Sequence, residues 1–431
     1  MATRDAEVLV VGAGPAGAAT ACLLARAGVD VLLLDRARFP RDKPCAEYLS
    51  PQASRVLSEL GALAPIEAAG AAALRGMRVR APDGHEIRGE FAAVHGFRGF
   101  RDRGLALPRR VLDAILLARA RDAGARVLEG ARVRDLVRGT DGRVRGLVVD
   151  GAHGGRTFTA PLVVGADGLR TVVGRRLGLV RTGRFPRRVA VVAPYRGVAG
   201  MDDCGEMHVD AAGYAGLADV GGGLTNVAVV VPAGAASCMA GDPARWLAQW
   251  LEARAHLAPR FAAATRVSAA RVVGPFNQRA RRAWAPGVAL VGDAADFFDP
   301  FTGEGIYAAL RGAELLAGYA FEAARARDAR RHDIALAAWD RCLQEEFRGK
   351  RLVERAVGTA VAFPALLNRA ARVLARRRDM ADLLVGVTGD FVPPRAVLHP
   401  RFLLPLLLPS FRRPALTAAP SPPGEGAGGR A

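Results

Sequence analysis

Residues Glu7 to Asp35 read EVLVVGAGPAGAATACLLARAGVDVLLLD, and this stretch decides the fold. EVLVV is an apolar run of strand length, AATACLLARAG is an amphipathic helix closed by Gly28, and VDVLLLD is a second strand ending in Asp35. Between the first strand and the helix, Gly12-Ala13-Gly14-Pro15-Ala16-Gly17 is a GxGxxG turn. Gly12 permits the tight turn, Gly14 lets backbone approach a pyrophosphate, and Gly17, beside the small Ala16, lets the helix pack on the strand. The helix N-terminus offers free N–H groups to phosphate. Asp35, with Arg36 beside it, lies 18 residues past the last glycine, where an acid accepts ribose hydroxyls. This dinucleotide fingerprint leaves NAD against FAD open.

Further along, Leu107 to Asp113 opens a helix to about Ala123, and ARVLEGARVRDLVR (125–138) follows as paired strands. APLVVGADGLRTVVGRRLGL (160–179) and GVALVGDAADFFDPFTGEGIYAALRGAELLA (287–317) each run from an apolar strand through an acidic loop into a helix. They place Asp167 and Asp293, the latter after Gly292, at the carboxyl ends of strands, where ligands bind in open α/β sheets. The expected fold class is therefore α/β, a Rossmann-type three-layer unit with a mainly parallel sheet.

Composition narrows the function classes. About half of the 431 residues are apolar, enough for a large core. The five cysteines are odd in number, far apart and without a CxxC pair, and the histidines form no HExxH, so neither a disulfide framework nor a metal site is expected. The formal charge of +19 comes almost wholly from arginines spread along the chain without a nucleic-acid motif, so no nucleic-acid partner is expected. The first apolar run follows Asp5 and Glu7 and contains Gly-Pro, which argues against a signal peptide or a membrane span. A cytoplasmic protein is the default expectation.

In this order, over most of residues 6–320, GxGxxG, GADGLRT (165–171) and GDAADFFDPFTGEGI (292–306) resemble the flavoprotein superfamily of p-hydroxybenzoate hydroxylase. Within it, DPFTGEGI together with FPRDKPCAEYLSP (39–51) most resembles the geranylgeranyl reductase family, whose loop usually reads PCGEGLSP. The resemblance implies noncovalent FAD, with Asp35 on the adenosine ribose, Arg109 near the pyrophosphate, Val133 offering backbone to the adenine and Asp293 on the ribityl chain or pyrophosphate. Gly303-Glu304-Gly305-Ile306 would present a helix N-terminus to the flavin N1–C2 edge, whose negative charge on reduction the helix dipole favours. Asp167 is either a cofactor contact or a turn cap, and Asp299 is left open. With one fingerprint, NAD(P)H binds transiently or a separate reductase delivers electrons.

Residues 72–100 and 181–275 read as a second, mostly antiparallel sheet interleaved with a discontinuous FAD unit of 1–71, 101–180 and 276–330. In the family such a sheet roofs the flavin and lines the substrate cavity, and GYAGLADVGGGLTNVAVVV carries few charges, which suits an apolar small molecule. Residues 331–416 read as a helical C-terminal region and 417–431 as a disordered tail. HPRFLLPLLLPSFRRPAL (399–416) is too proline-broken to span a bilayer; core packing and a peripheral membrane contact both remain open.

In the loop Asp42–Pro51, Cys45 is placed to line the reaction pocket, either as a proton donor or as packing, and Glu47 and Tyr48 are further candidate acids. His208 is a lesser candidate for the cavity wall. Reduction of a carbon–carbon double bond by flavin hydride is the expected reaction. The loop departs from the family as CAEYLSP, and the tyrosine-tryptophan-phenylalanine pattern is missing, which leaves oxygenation as the alternative and a non-catalytic flavin plug as a distant third. Halogenation is disfavoured, because the tryptophans at 246, 250, 284 and 339 form no WxWxIP and neither lysine falls in the matching place.

Overall fold

The computed structural model describes residues 4–150, 155–239 and 241–407. Val8–Val11 is the middle of a six-stranded sheet, flanked in parallel by Val31–Asp35 and Leu162–Gly165. Arg126–Glu129 closes one side; Val288–Leu290 and the antiparallel Trp284–Ala285 close the other. Val8–Val11 and Leu162–Gly165 are buried throughout because layers cover both faces of the sheet. Helix Pro15–Arg26 packs on one face between helices Arg109–Asp122 and Gly305–Ala324, and a three-stranded antiparallel sheet covers the other.

The expected pairing within residues 125–138 is corrected. Arg126–Glu129 runs parallel to Val31–Asp35, whereas Val133–Arg138 pairs with Val144–Val149 in the covering sheet. Gly130, with φ of 74°, turns the chain between them. The Gly130 and Ala131 N–H groups donate to the Ala37 and Asp35 carbonyls, so the end of the neighbouring strand diverts the chain into the next layer.

A second sheet runs in the order Thr265–Arg266, Arg188–Arg196, Leu224–Pro232, Gly213–Asp219, Cys204–Asp210, Gly76–Arg80, Glu86–Glu90. Its pairings are antiparallel except that Cys204–Asp210 lies parallel to Gly76–Arg80. Ala72–Leu74 stands apart from it, pairing with Gly104–Ala106, which in turn pairs with Tyr48–Leu49, so a small sheet carries the cysteine loop between the two large ones. The C-terminal helices Ala329–Ala362, Pro364–Leu374 and Arg378–Thr388 follow as expected. Arg378–Thr388 covers the edge strand Glu86–Glu90, and Asp382 accepts its Glu90 N–H at 2.8 Å. Helix Pro400–Leu407 comes last; the remainder of the leucine-proline segment and the tail expected to be disordered lie outside the described residues.

One buried ion pair fastens the second sheet to the cofactor-side loops. Arg188 Nη1 lies 2.6 Å from Asp299 Oδ2, and Asp299 Oδ1 also accepts the Tyr214 hydroxyl at 2.8 Å and the Phe301 N–H at 3.0 Å. Arg188 Nη2 donates to the Gly358 carbonyl at 3.0 Å, bringing in the C-terminal helix. Asp299 is thus fully engaged in structure. Replacing one partner strands the other charge in the core, so Arg188→Met is expected to lower the unfolding free energy by about 3–5 kcal/mol. The midpoint of urea denaturation measures it; a loss below about 1 kcal/mol contradicts this role.

Candidate active site

The GxGxxG turn is as tight as its glycines demand. A Cβ on Gly17 would lie 1.8 Å from the Gly12 carbonyl oxygen, and Gly12 itself has φ of 98° against Ala166. Asp35 fixes this turn from below: one carboxylate oxygen accepts the Ala13 N–H at 2.8 Å and the other the Ala37 N–H at 2.8 Å. Arg36 is exposed beside it, and Val133 is buried at the start of its strand, two residues past the Ala131–Asp35 bond. Gly292, with φ of 63°, comes so close to Ala16 that a Cβ would lie 2.9 Å from the Ala16 methyl.

Above Gly14 the surroundings are cationic. A Cβ there would meet Arg109 Nη2 at 3.7 Å and Arg41 Nη2 at 3.8 Å. Arg109 is buried and held by a bidentate pair with Asp113, 2.8 Å at each oxygen, and Arg41 Nη1 lies 3.0 Å from the same carboxylate without hydrogen-bond alignment. Lys43 and Asp293 face the same space; burial and the Arg109 charge lower Lys43, and burial raises Asp293 against the pull of Lys43. A helix N-terminus, a glycine turn of small residues, and one buried and one half-buried guanidinium beside it fit the pyrophosphate of a dinucleotide.

From this end one cavity runs along Lys43, Pro44, Cys45 and Tyr48 to the apolar face of the second sheet, reaching Ala190, Val192, Met207, Ala228 and Val230. Cys45 is half-buried beside Arg109; its carbonyl accepts Asn226 Nδ2 at 2.8 Å, which pins the loop to the sheet. Tyr48 packs its ring on Gly303 and stacks on Phe91 with centroids 5.9 Å apart, and its hydroxyl is buried without a partner. Burial and the Glu304 charge push this phenol well above its usual range.

Glu47 faces the other way. Its side chain accepts the Arg109 N–H at 2.9 Å, capping helix Arg109–Asp122, and lines a second cavity beneath the loop. Burial pushes Glu47 up to about 7. Asp167 is likewise a cap: one oxygen accepts the Val172 and Val173 N–H groups at 2.6 and 3.3 Å, and the other is buried without a partner.

Gly303, Gly305 and Ile306 line the main cavity at the start of helix Gly305–Ala324, but the Glu304 side chain points behind the turn. It lies 3.4 Å from Lys350 Nζ, which also pairs with Asp390. Glu354, pushed up to about 8 by burial and then by Glu304, completes this buried cluster. On the face of the second sheet turned away from the cavity, Glu206, which sequence reasoning did not single out, stands on the same side as Ala215 and Leu217. Burial raises its carboxyl, but bonds from His208 and Arg260 outweigh that and hold it at about 2. His208, 2.8 Å from Glu206, supports it from outside the cavity wall. Lys43 and Arg41 were missed too; their position in a charged run immediately before Cys45 was the available signal.

A Rossmann-type sheet with a tight glycine turn, opening past the cysteine loop onto an apolar sheet, is the frame of an FAD-dependent oxidoreductase. The family described as an FAD binding domain matches residues 5–333. The chain is similar to digeranylgeranylglycerophospholipid reductase 2 of Methanopyrus kandleri, 31% identical and covering 90% of this chain and 93% of that protein. It is also similar to menaquinone reductase of Mycolicibacterium smegmatis, 30% identical and covering 91% and 93%. The structure of a myxobacterial chondrochloren halogenase superposes with a TM-score of 0.74 at 24% identity over 82% of each chain, a likeness of fold alone. The protein belongs to the FAD binding domain family and, within it, to the geranylgeranyl reductase family. Its cofactor is FAD.

Two predictions follow from this geometry. Arg41→Ala removes charge-assisted donors over Gly14 and is expected to weaken FAD binding by about 1.5–3 kcal/mol, roughly 10- to 150-fold in Kd. Titration of apoprotein with FAD, followed by flavin fluorescence, reads this; an unchanged Kd contradicts it. The second concerns Glu47, whose folded pKa of about 7 lies above its ordinary 4.5. The native state therefore binds the extra proton in this window, and stability drains away as pH rises through it. Glu47→Gln carries no such loss, so relative to wild type its melting temperature should be higher at pH 8 than at pH 5. An equal offset at both pH values contradicts the assignment.

Proposed function

We propose that this protein reduces carbon–carbon double bonds in an apolar, isoprenoid-bearing small molecule of the lipid or quinone kind. The observation that carries the reading is the continuous cavity with a cationic end over the nucleotide turn and an apolar end on the second sheet, joined at the cysteine loop and a helix N-terminus. The reductase names of the two full-length relatives support it. In this reading residues 1–71, 101–180 and 276–330 form the cofactor unit, and 72–100 with 181–275 form the substrate roof.

Noncovalent FAD would be held by Gly12, Gly14, Ala16 and Gly17 at the turn, Asp35 and Arg36 at the ribose, Val133 at the adenine, and Arg41, Arg109, Gly292 and Asp293 at the pyrophosphate and ribityl chain. Gly303, Gly305 and Ile306 would supply the helix N-terminus. Reduced FAD supplies a hydride when bound, with electrons from NAD(P)H or a separate reductase. The chain's own task is the proton: Cys45, which lines the cavity where its two ends meet, is the donor. Tyr48, kept protonated by its raised pKa, orients the reacting carbon's neighbour as a donor. Glu47 acts on neither, since it is spent on the helix cap; it holds the loop in register with Arg109.

Protein reduced photochemically without oxygen, then mixed with a geranylgeranyl lipid or a menaquinone, should reoxidise and yield a product heavier by two hydrogens. Cys45→Ala should slow that step about 100-fold while sparing flavin reduction. A product heavier by one oxygen atom, formed only with oxygen present, would make the protein a monooxygenase instead.

A further inference from the structure

Phe185 and Phe363 are 62% and 52% exposed, yet their rings meet with centroids 6.3 Å apart. They come from distant elements. Phe185 sits in the loop before strand Arg188–Arg196, and Phe363 joins helix Ala329–Ala362 to helix Pro364–Leu374. Leu352, 49% exposed, lies three turns earlier on the long helix, and 11 residues bring a helix almost back to the same face. Two large rings held together in water form a contiguous apolar spot, unlike a scattered surface residue.

Arg184, Arg187 and Arg355 are exposed around this spot. Among the described residues none of them is in an ion pair, whereas the buried Arg188 and the half-buried Arg351 beside them are paired with Asp299 and Asp296. Rings flanked by free guanidiniums match the chemistry of a bilayer surface, with aromatics at headgroup depth and cations on lipid phosphates. A second copy of this chain fits poorly, because it would set arginines against arginines.

The spot also adjoins the cavity. Asn277 Nδ2 donates to the Pro186 carbonyl at 3.0 Å, and the Gly183 N–H donates to the Asn277 carbonyl at 2.8 Å. Asn277 follows Phe276, which lines the apolar end of the main cavity. Arg188 and Gly358 tie the loop to the long helix on the other side.

We propose that the Phe185–Phe363 edge with Arg184, Arg187 and Arg355 docks the protein on an anionic lipid surface, so that an apolar substrate dissolved in the bilayer is met next to the cavity wall. This rests on the reading of the substrate as apolar, but the docking is tested without turnover.

Holoprotein should co-sediment with vesicles containing phosphatidylglycerol, weakly with pure phosphatidylcholine, and less as salt rises. Each basic residue near such a surface is worth about 1 kcal/mol, so Arg184→Glu/Arg187→Glu should weaken binding about 30-fold or more. Phe185→Ser/Phe363→Ser should weaken it at any salt. Both variants should keep the flavin spectrum, the melting temperature and turnover of a detergent-dispersed substrate. Wild-type protein that ignores the vesicles, variants that bind like wild type, serine variants that only change the oligomeric state, or binding to duplex DNA in place of vesicles would each overturn the proposal. Loss of turnover with docking intact would instead count against the reductase reading alone.

Discussion

The bidentate pair between Arg109 and Asp113 is the interaction on which the site depends. Both groups are buried, so each must satisfy the other, and the pair fixes the guanidinium at the start of its helix. From there Arg109 reaches two separate segments, the nucleotide turn and the cysteine loop. Its side chain overlooks Gly14 of the nucleotide turn and lies against Cys45, and its N–H is capped by Glu47. One arginine thus sets the distance between the nucleotide turn and the cysteine loop.

The opposite side of the cavity is set by a second buried cluster. Lys350 on the long C-terminal helix reaches Glu304 and Asp390, so the helical region braces the glycine turn from behind. Because Glu304 is drawn back to Lys350, this turn presents Gly303, Gly305 and Ile306 to the cavity, and the N-terminus of the helix opens on it. The apolar walls beyond it come from alternate residues of the second sheet, whose period of two turns Ala228 and Val230 inward together.

Much of this was legible in the chain. The glycines of the nucleotide turn, the acid ending the second strand, and the strand-loop-helix runs around Asp167 and Asp293 are local patterns, and local patterns survive folding. Side-chain direction was not legible. Glu47, Tyr48 and Glu304 sit where the motifs put them, but Glu47 turns to cap a helix 62 residues away and Glu304 pairs with a lysine of the C-terminal helix. Asp167 caps a helix through one oxygen, and its other oxygen is buried without a partner. Strand partnership was also hidden: residues 125–138 carry two strands in sequence, but Gly130 sends them to different layers. Glu206 escaped notice because a lone acid in an apolar strand shows its meaning only once Arg260 and His208 close around it.

In the proposed reading, cofactor site and apolar cavity are one room. Titrating the oxidised holoprotein, without any reductant, with a naphthoquinone bearing a short isoprenoid tail tests it most directly. Saturable binding of one ligand per chain is expected to shift the flavin absorbance bands, with Met207→Trp blocking the shift while leaving FAD bound. Tight binding that leaves the flavin spectrum untouched, and that Met207→Trp does not affect, would place the ligand elsewhere and contradict the account.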